Sequence, residues 1–299
     1  ESIIMKKSKI LGILIIIASY IIAFGIGAVL HYRINLPSEQ FLLKILIIDV
    51  AMTIVIFILS TIFKNSSIYD PYWSLIPIVL SIYASYVLCD FHGMSFIMIG
   101  LLCIWGLRLT INFFATFKGL DKQDWRYDHY KNKFPKIWPL VNLFGIHLFP
   151  TLIVYMVMLP VFKYLETCKT AELNLSTIIA VIITIIAIII ETIADRQMHK
   201  FLKTRKNNEL INFGLWKRSR HPNYFGEILF WWGIYLVMLS LNDNMWVLFL
   251  GPLLNTLMFV FISVPLAEKH QLAKNPQYKE YVKTTNTFLL FPKKEVVEK

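Results

Sequence analysis

The sequence predicts an all-α, polytopic integral membrane protein with about eight transmembrane helices. Three observations carry this. The 299 residues are 57% hydrophobic and only 16% charged, against roughly 25% charged in soluble domains. The mean hydropathy is +0.58, more apolar surface than a soluble core of this length can hide. Apolar runs of about 20 residues recur, each long enough at 1.5 Å per residue to cross a 30 Å hydrocarbon layer. Irregular backbone cannot face lipid, so the runs must be helices.

The spans are expected near 10–30, 41–63, 71–89, 93–117, 141–165, 174–194, 222–241 and 245–265. The first follows Lys6, Lys7 and Lys9, like the basic start of a signal peptide. It lacks a small-residue cleavage site and is read as a retained span, with Met5 as a plausible start after Glu1–Ile4. Asp70-Pro71-Tyr72-Trp73-Ser74 opens the third, where an Asp cap followed by Pro suits a helix start. The fourth carries Arg108 and Asn112 on one face, and the sixth ends in Glu191, Asp195 and His199 at four-residue steps. Pro222 starts the seventh. The whole reads as one membrane domain, 1–299.

The net charge of +11 could suggest nucleic acid, but its distribution argues for topology. Across eight alternating spans, 24 of the 30 Lys and Arg fall on one side and four on the other, with Arg108 and Arg196 within or at the end of helices. This is the positive-inside pattern. It puts both termini and the 118–140 and 203–221 loops in the cytoplasm, of either a cell inner membrane or the endoplasmic reticulum, with lipid headgroups or anionic ligands as partners of the basic face. Cys89, Cys103 and Cys168 have neither metal nor redox spacing and read as core thiols, with no disulfide framework. No metal site is expected. No G-x-G-x-x-G or G-x-x-x-x-G-K pattern occurs, so neither a Rossmann domain nor a P-loop is available.

Polar groups inside spans are expensive and are functional candidates by default. Glu191, Asp195 and His199 share a helix face, although the last two could be solvated residues at a helix end. The basic stretch Lys203-Thr-Arg205-Lys206 leads to Trp216-Lys-Arg218-Ser-Arg220-His221-Pro222-Asn223-Tyr224-Phe-Gly226-Glu227. Arg218, Arg220 and His221 then stand at a helix N-terminus that already favours anions, suiting a phosphate-bearing ligand or, alternatively, lipid headgroups. Asn223 and Glu227, one turn apart, would match the two N–H donors and one carbonyl of a nicotinamide carboxamide. Arg108 could instead neutralise a buried acid such as Glu191 or Asp49. Asp124-Trp125-Arg126-Tyr127 follows the fourth span, and Tyr278, Tyr281 and Phe288–Pro292 read as an amphipathic tail returning to the membrane face.

Residues 216–227, with Ala194-Asp195-Arg196-Gln197, Asp124-Trp125-Arg126-Tyr127 and Asn275-Pro-x-Tyr278-x-x-Tyr281, resemble the steroid 5-alpha-reductase superfamily, nearest its domain-of-unknown-function relatives. The resemblance covers about 41–294, leaving 1–40 as an additional first span. It implies NADPH-dependent reduction of a carbon–carbon double bond conjugated to a carbonyl, on a steroid- or lipid-like substrate. It places Asn223 and Glu227 at the nicotinamide, and Asp195 with the basic loop on the rest of the cofactor. Glu191 stands where the family has asparagine. Trp105 stands where the steroid reductases have the tyrosine that polarises the ketone, which leaves Tyr72 or another tyrosine as the substitute. The expected catalytic set is Glu227, Tyr72 and Arg108. The expected cofactor set is Asn223, Glu227, Asp195, Glu191, Arg218, Arg220, His221, Tyr224, Arg126 and Asn112. The Arg-His-Pro-x-Tyr-x-Gly core also occurs in isoprenylcysteine and phospholipid methyltransferases, which makes an S-adenosylmethionine enzyme the alternative. A transporter is disfavoured, because the charged groups cluster at one face without repeat-related broken helices.

Overall fold

The computed structural model describes residues 2–206 and 209–291, with side chains from Ser8 onward. Pro292, the basic residues after it and the side chains of Lys6 and Lys7 lie outside the described residues. Twelve α-helices are described: α1 Ser2–Arg33, α2 Phe41–Ile62, α3 Tyr72–Ala84, α4 Ser95–Thr116, α5 Trp125–Lys133, α6 Trp138–Leu140, α7 Phe149–Thr167, α8 Leu175–Thr204, α9 Pro222–Leu239, α10 Leu250–Met258, α11 Val264–Lys274 and α12 Tyr278–Thr284. Among the described residues there is no strand.

Seven continuous helical stretches are long and apolar enough to cross a membrane: Ser8–Arg33, Ser38–Ile62, Ser66–Cys89, Ser95–Thr116, Pro135–Thr167, Leu175–Thr204 and Asp243–Lys274. The chain is a polytopic α-helical membrane protein. The expected span at 222–241 forms α9, an 18-residue helix outside those seven, because Asn223 and Glu227 interrupt its first two turns. Two of the longer stretches contain π-helical segments, Val141–Leu148 and Phe259–Ser263. Each runs into a proline within two residues, Pro150 or Pro265. A missing N–H there leaves a carbonyl of the preceding turn without its usual donor, and the ladder widens.

The chain divides into two compact units, residues 1–84 with 102–155, and residues 85–101 with 156–299. In the first, α2 buries Phe41, Ile45, Ile48, Asp49, Met52, Thr53, Ile56 and Ser60, steps of three and four that define one stripe. Polar members of the stripe find polar partners. Tyr72 donates to Asp49 Oδ1 at 2.7 Å, Thr53 and Thr151 share a hydrogen bond at 3.0 Å, and Ser60 meets His147 Nε2 at 3.1 Å. At one end of this unit, Asn65 caps the short 3-10 turn Ser66–Tyr69 and donates to Leu120 O at 2.7 Å. Ser67 Oγ accepts from the Asp124 N–H at 2.9 Å, and Tyr127 donates to Asp70. The loop after α4 is thereby fastened to the start of the third span.

The second unit is organised by α8 and α9. One stripe of α8 is small and buried, with Thr177, Ala180, Thr184, Ala187 and Ala194. Its isoleucines at 178, 179, 182, 185, 186, 189 and 193 are exposed and face lipid. Small residues let helix backbones approach closely in a membrane. Gly226 of α9 answers that stripe: a Cβ there would lie 2.7 Å from Glu191 Cβ and 3.0 Å from Ala187 O. The far ends are fixed by Thr177 Oγ1 and Ser240 Oγ at 2.7 Å and by Asn174 Nδ2 donating to Ser240 O at 3.1 Å.

Candidate active site

The second unit builds a polar face where α8 ends and α9 begins. Because α8 continues to Thr204 without a break, Glu191, Asp195 and His199 keep their four-residue register. Glu191 is buried, and Asp195 and His199 are half-buried. The segment Gly214–Lys217 is bolted to the same helix from the other side. Gly214 has φ +58°, a left-handed conformation glycine adopts without strain. Leu215 N donates to Gln197 Oε1 at 2.9 Å, and Trp216 Nε1 donates to Ala194 O at 3.0 Å. Ala194, Ile211 and Trp216 form a small core beneath, against Met198, Phe201 and Leu215.

From there the chain turns into α9 through Arg218, Ser219, Arg220 and His221. Arg218 is exposed, and its side chain has no partner among the described residues. Arg220 is built in. Its Nε donates to Glu268 Oε1 at 2.7 Å, one Nη to Val282 O at 3.1 Å and to Thr285 O, and the other to Thr287 Oγ1 at 2.9 Å. Four of its five N–H donors therefore hold the C-terminal segment. Backbone bonds run alongside, Arg220 N to Asn286 O at 2.8 Å and His221 N to Thr287 O at 3.1 Å. His221 Nε2 meets Glu268 Oε1 at 3.1 Å and stacks on Tyr224, with rings 5.2 Å apart and 6° from parallel. Tyr281 donates to Trp216 O and Ser219 O. Burial pushes the Tyr278 and Tyr281 hydroxyls above their ordinary range, so both remain protonated.

His221 occupies the cap position of α9 and provides no side-chain cap. One turn in, Asn223 is half-buried, and its amide makes no hydrogen bond among the described residues. Glu227, the next residue on that face, is 6% exposed and accepts from Trp231 Nε1 at 2.8 Å. A carboxylate has acceptor capacity for several donors, and this bond orients Glu227. Gly226 beside it sets the contact with Glu191.

Of the residues anticipated from sequence, this unit brings together Glu191, Asp195, Arg218, Arg220, His221, Asn223, Tyr224 and Glu227. Tyr72, Arg108, Asn112 and Arg126 belong to the first unit. There Tyr72 is fully buried against Asp49, and Arg126 pairs with Asp124 at 2.8 Å. Trp105 is fully buried, its ring 6.1 Å from that of Trp73. Sequence reasoning missed Trp231 as the partner of Glu227, although the four-residue spacing was there to read. It also missed Glu268 as the common partner of Arg220 and His221, for which a separation of nearly fifty residues gave no signal.

A family model described as "Protein of unknown function (DUF1295)" matches residues 56–285. The uncharacterized protein C594.04c of Schizosaccharomyces pombe is 26% identical over 265 residues, covering 77% of this chain and 73% of that protein. No solved structure matches the chain.

Proposed function

We propose that this chain, which belongs to the DUF1295 family of proteins of unknown function, is a membrane-embedded reductase that uses NADPH to saturate a carbon–carbon double bond conjugated to a carbonyl in a steroid- or lipid-like substrate. The observation that carries the reading is the pair Asn223 and Glu227. An unengaged, half-buried amide stands one turn from a buried, oriented carboxylate, just inside the uncapped start of α9. Buried polar groups are normally satisfied, and a carboxamide asks for one donor and one or two acceptors, which this pair supplies. The sequence resemblance of 216–227 to the steroid 5-alpha-reductase superfamily points the same way. Bound there, NADPH would supply a hydride.

The protein's part is to hold and exclude. Asn223 donates to a carboxamide oxygen and Glu227 accepts from its N–H groups, while Trp231 keeps the carboxylate in register. Arg218 gives an exposed guanidinium for a phosphate. Arg220 and His221 fix the wall on which Arg218 stands, and the residues below, Phe230, Trp231 and Ile234, are buried and keep water from this end of α9. Tyr72 and Arg108, in the first unit, carry no step in this proposal.

Replacing Arg218 with Ala weakens NADPH binding by about 1.5–3 kcal/mol, the worth of a hydrogen bond to a charged group. Titration of the purified protein in detergent, followed by tryptophan quenching, measures it. One observation favours the second reading: with Arg220 engaged, fewer arginines face a ligand, which suits a cofactor with fewer phosphates. Saturable quenching by S-adenosylmethionine with none by NADPH would replace the reductase with a methyltransferase.

The orientation belongs to the same proposal. Counting α9 as a crossing gives eight, so both termini and the 118–140 and 203–221 loops share one side, and the positive-inside charge pattern assigns that side to the cytoplasm, where a soluble cofactor is found. Single cysteines introduced into either loop of a Cys-to-Ser background stay unlabelled by a membrane-impermeant maleimide in right-side-out vesicles. Labelling from outside reverses the topology.

A further inference from the structure

The first unit carries a polar cavity that the proposed reaction does not use. It encloses about 420 Å³ and is lined by Lys64, Lys122, Lys131, Asp121, Asp128 and Gln123 among others, within the ~300–1,000 Å³ of small-ligand sites. Its walls are pinned by the fold. Asn65 Nδ2 donates to Leu120 O at 2.7 Å and to Lys122 O at 3.2 Å, and the Ser66 N–H donates to Gln123 Oε1 at 3.1 Å. Gly119 has φ +110°, and a Cβ there would lie 2.9 Å from Ser8 Oγ. The turn at 119–123 is thus held between the start of α1 and the end of α2.

The two acids of the lining are engaged on one oxygen each. Asp121 Oδ2 accepts from Ser8 Oγ at 2.8 Å, and Asp128 Oδ1 accepts from Gln123 Nε2 at 2.6 Å. Lys64, Lys122 and Lys131 are exposed, and their ammonium groups pair with no acid among the described residues. Lys64 closes α2 at φ 53°, the left-handed position where a helix end usually takes glycine or asparagine. Lysine at a strained position of this kind marks a demand on its side chain.

The level of the cavity in the membrane follows from the chain. Ser8 heads the first crossing stretch, and Lys64 comes two residues after the second, Ser38–Ile62. Both therefore stand at one membrane surface, whichever way the chain is oriented. Ile58 and Ile62, one turn apart on the approach to Lys64, are 49% and 63% exposed and face lipid. Three lysines against two aspartates leave one formal positive charge, which suits a headgroup of one net negative charge.

We propose that this cavity binds the headgroup of an anionic phospholipid that carries hydroxyls beside its phosphate, as phosphatidylglycerol does. Lys64, Lys122 and Lys131 donate charge-assisted hydrogen bonds to the phosphate, and the second oxygens of Asp121 and Asp128 accept from the hydroxyls. The acyl chains descend along Ile62 and Ile58. Basic pockets between span ends take such headgroups. The site lies within the first unit and does not depend on the NADPH reading.

Native mass spectrometry of the purified full-length protein in non-ionic detergent, titrated with phosphatidylglycerol or phosphatidylethanolamine, tests it. The expected result is one saturable phosphatidylglycerol per chain, bound at least about fivefold tighter than phosphatidylethanolamine. Lys64→Ala, Lys122→Ala and Lys131→Ala each weaken phosphatidylglycerol binding by about fivefold and leave the lipid-free Tm unchanged, while Lys64→Arg keeps the binding. Equal binding of the two lipids, or undiminished phosphatidylglycerol binding when all three lysines are replaced by Ala, overturns the proposal. Displacement of the lipid by inorganic phosphate or by NADPH makes this a site for soluble phosphates and overturns the lipid assignment.

Discussion

Glu227→Gln lowers kcat for NADPH-dependent enone reduction by on the order of 100-fold while leaving the NADPH dissociation constant within a few-fold of wild type. The split follows from what each group touches. In the proposal Arg218 acts on the phosphates, and Glu227 acts on the carboxamide at the reacting end. Removing the charge of Glu227 leaves the anchor intact and loosens only the reacting ring. A displacement of about 1 Å at a reacting centre can cost on the order of 100-fold in rate. Gln retains an oxygen for the Trp231 N–H, which now sits 2.8 Å from Glu227 Oε1, so the fold around α9 is kept. What changes is the second acceptor: an amide nitrogen meets the carboxamide N–H groups, donor against donor. Glu227→Ala is more severe, because it also takes away the acceptor of the Trp231 indole, at a cost of about 1–3 kcal/mol for a buried donor. Asn223→Ala has the kinetic effect without the stability loss, since its amide holds nothing else among the described residues. Steady-state kinetics together with NADPH titration of the three variants checks this. Normal turnover in Glu227→Gln removes the residue from the site. A parallel loss of S-adenosylmethionine binding instead transfers the site to the methyltransferase reading.

The span pattern was legible because lipid imposes it. An apolar run of about 20 residues has no other stable form than a helix, and seven of the eight expected spans correspond to helices long and apolar enough to cross. The helix at 222–239 was legible from Pro222 and its apolar second half, although Asn223 and Glu227 keep it apart from those seven. Local spacing was legible too. Glu191, Asp195 and His199 share one continuous helix, and Asn223 lies one turn from Glu227. What the sequence could not display is contact between distant segments. Nothing near Glu268 marks it as the partner of Arg220 and His221. Nothing near Asn286 and Thr287 marks them as a strip that pairs with 219–221. Arg220 shows the consequence most directly. A guanidinium at a helix start reads equally well as a phosphate ligand or as an internal clamp, and only the position of the C-terminal segment decides how many donors remain.

Arg220→Ala releases the C-terminal segment, and its main effect is on stability rather than on cofactor affinity. In the folded protein the Arg220 side chain is paired with Glu268, the two being 10% and 17% exposed. Its other bonds go to Val282, Thr285 and Thr287. Removing one partner of a largely buried ion pair costs about 3–5 kcal/mol, because the remaining charge keeps its desolvation penalty. Here His221 still reaches Glu268 at 3.1 Å, which puts the expected loss near the lower figure, about 3 kcal/mol. The two backbone bonds from 220 and 221 to the tail persist but lose their lock, so hydrogen exchange at 282–287 rises together with the fall in Tm. Glu268→Ala acts on the same clamp. The double variant therefore costs less than the two single changes added, by about 1 kcal/mol or more, as expected for residues sharing one network. An Arg220 that served a cofactor phosphate alone would give the opposite pattern. Its replacement would weaken NADPH binding, leave exchange at 282–287 unchanged, and add independently to Glu268→Ala.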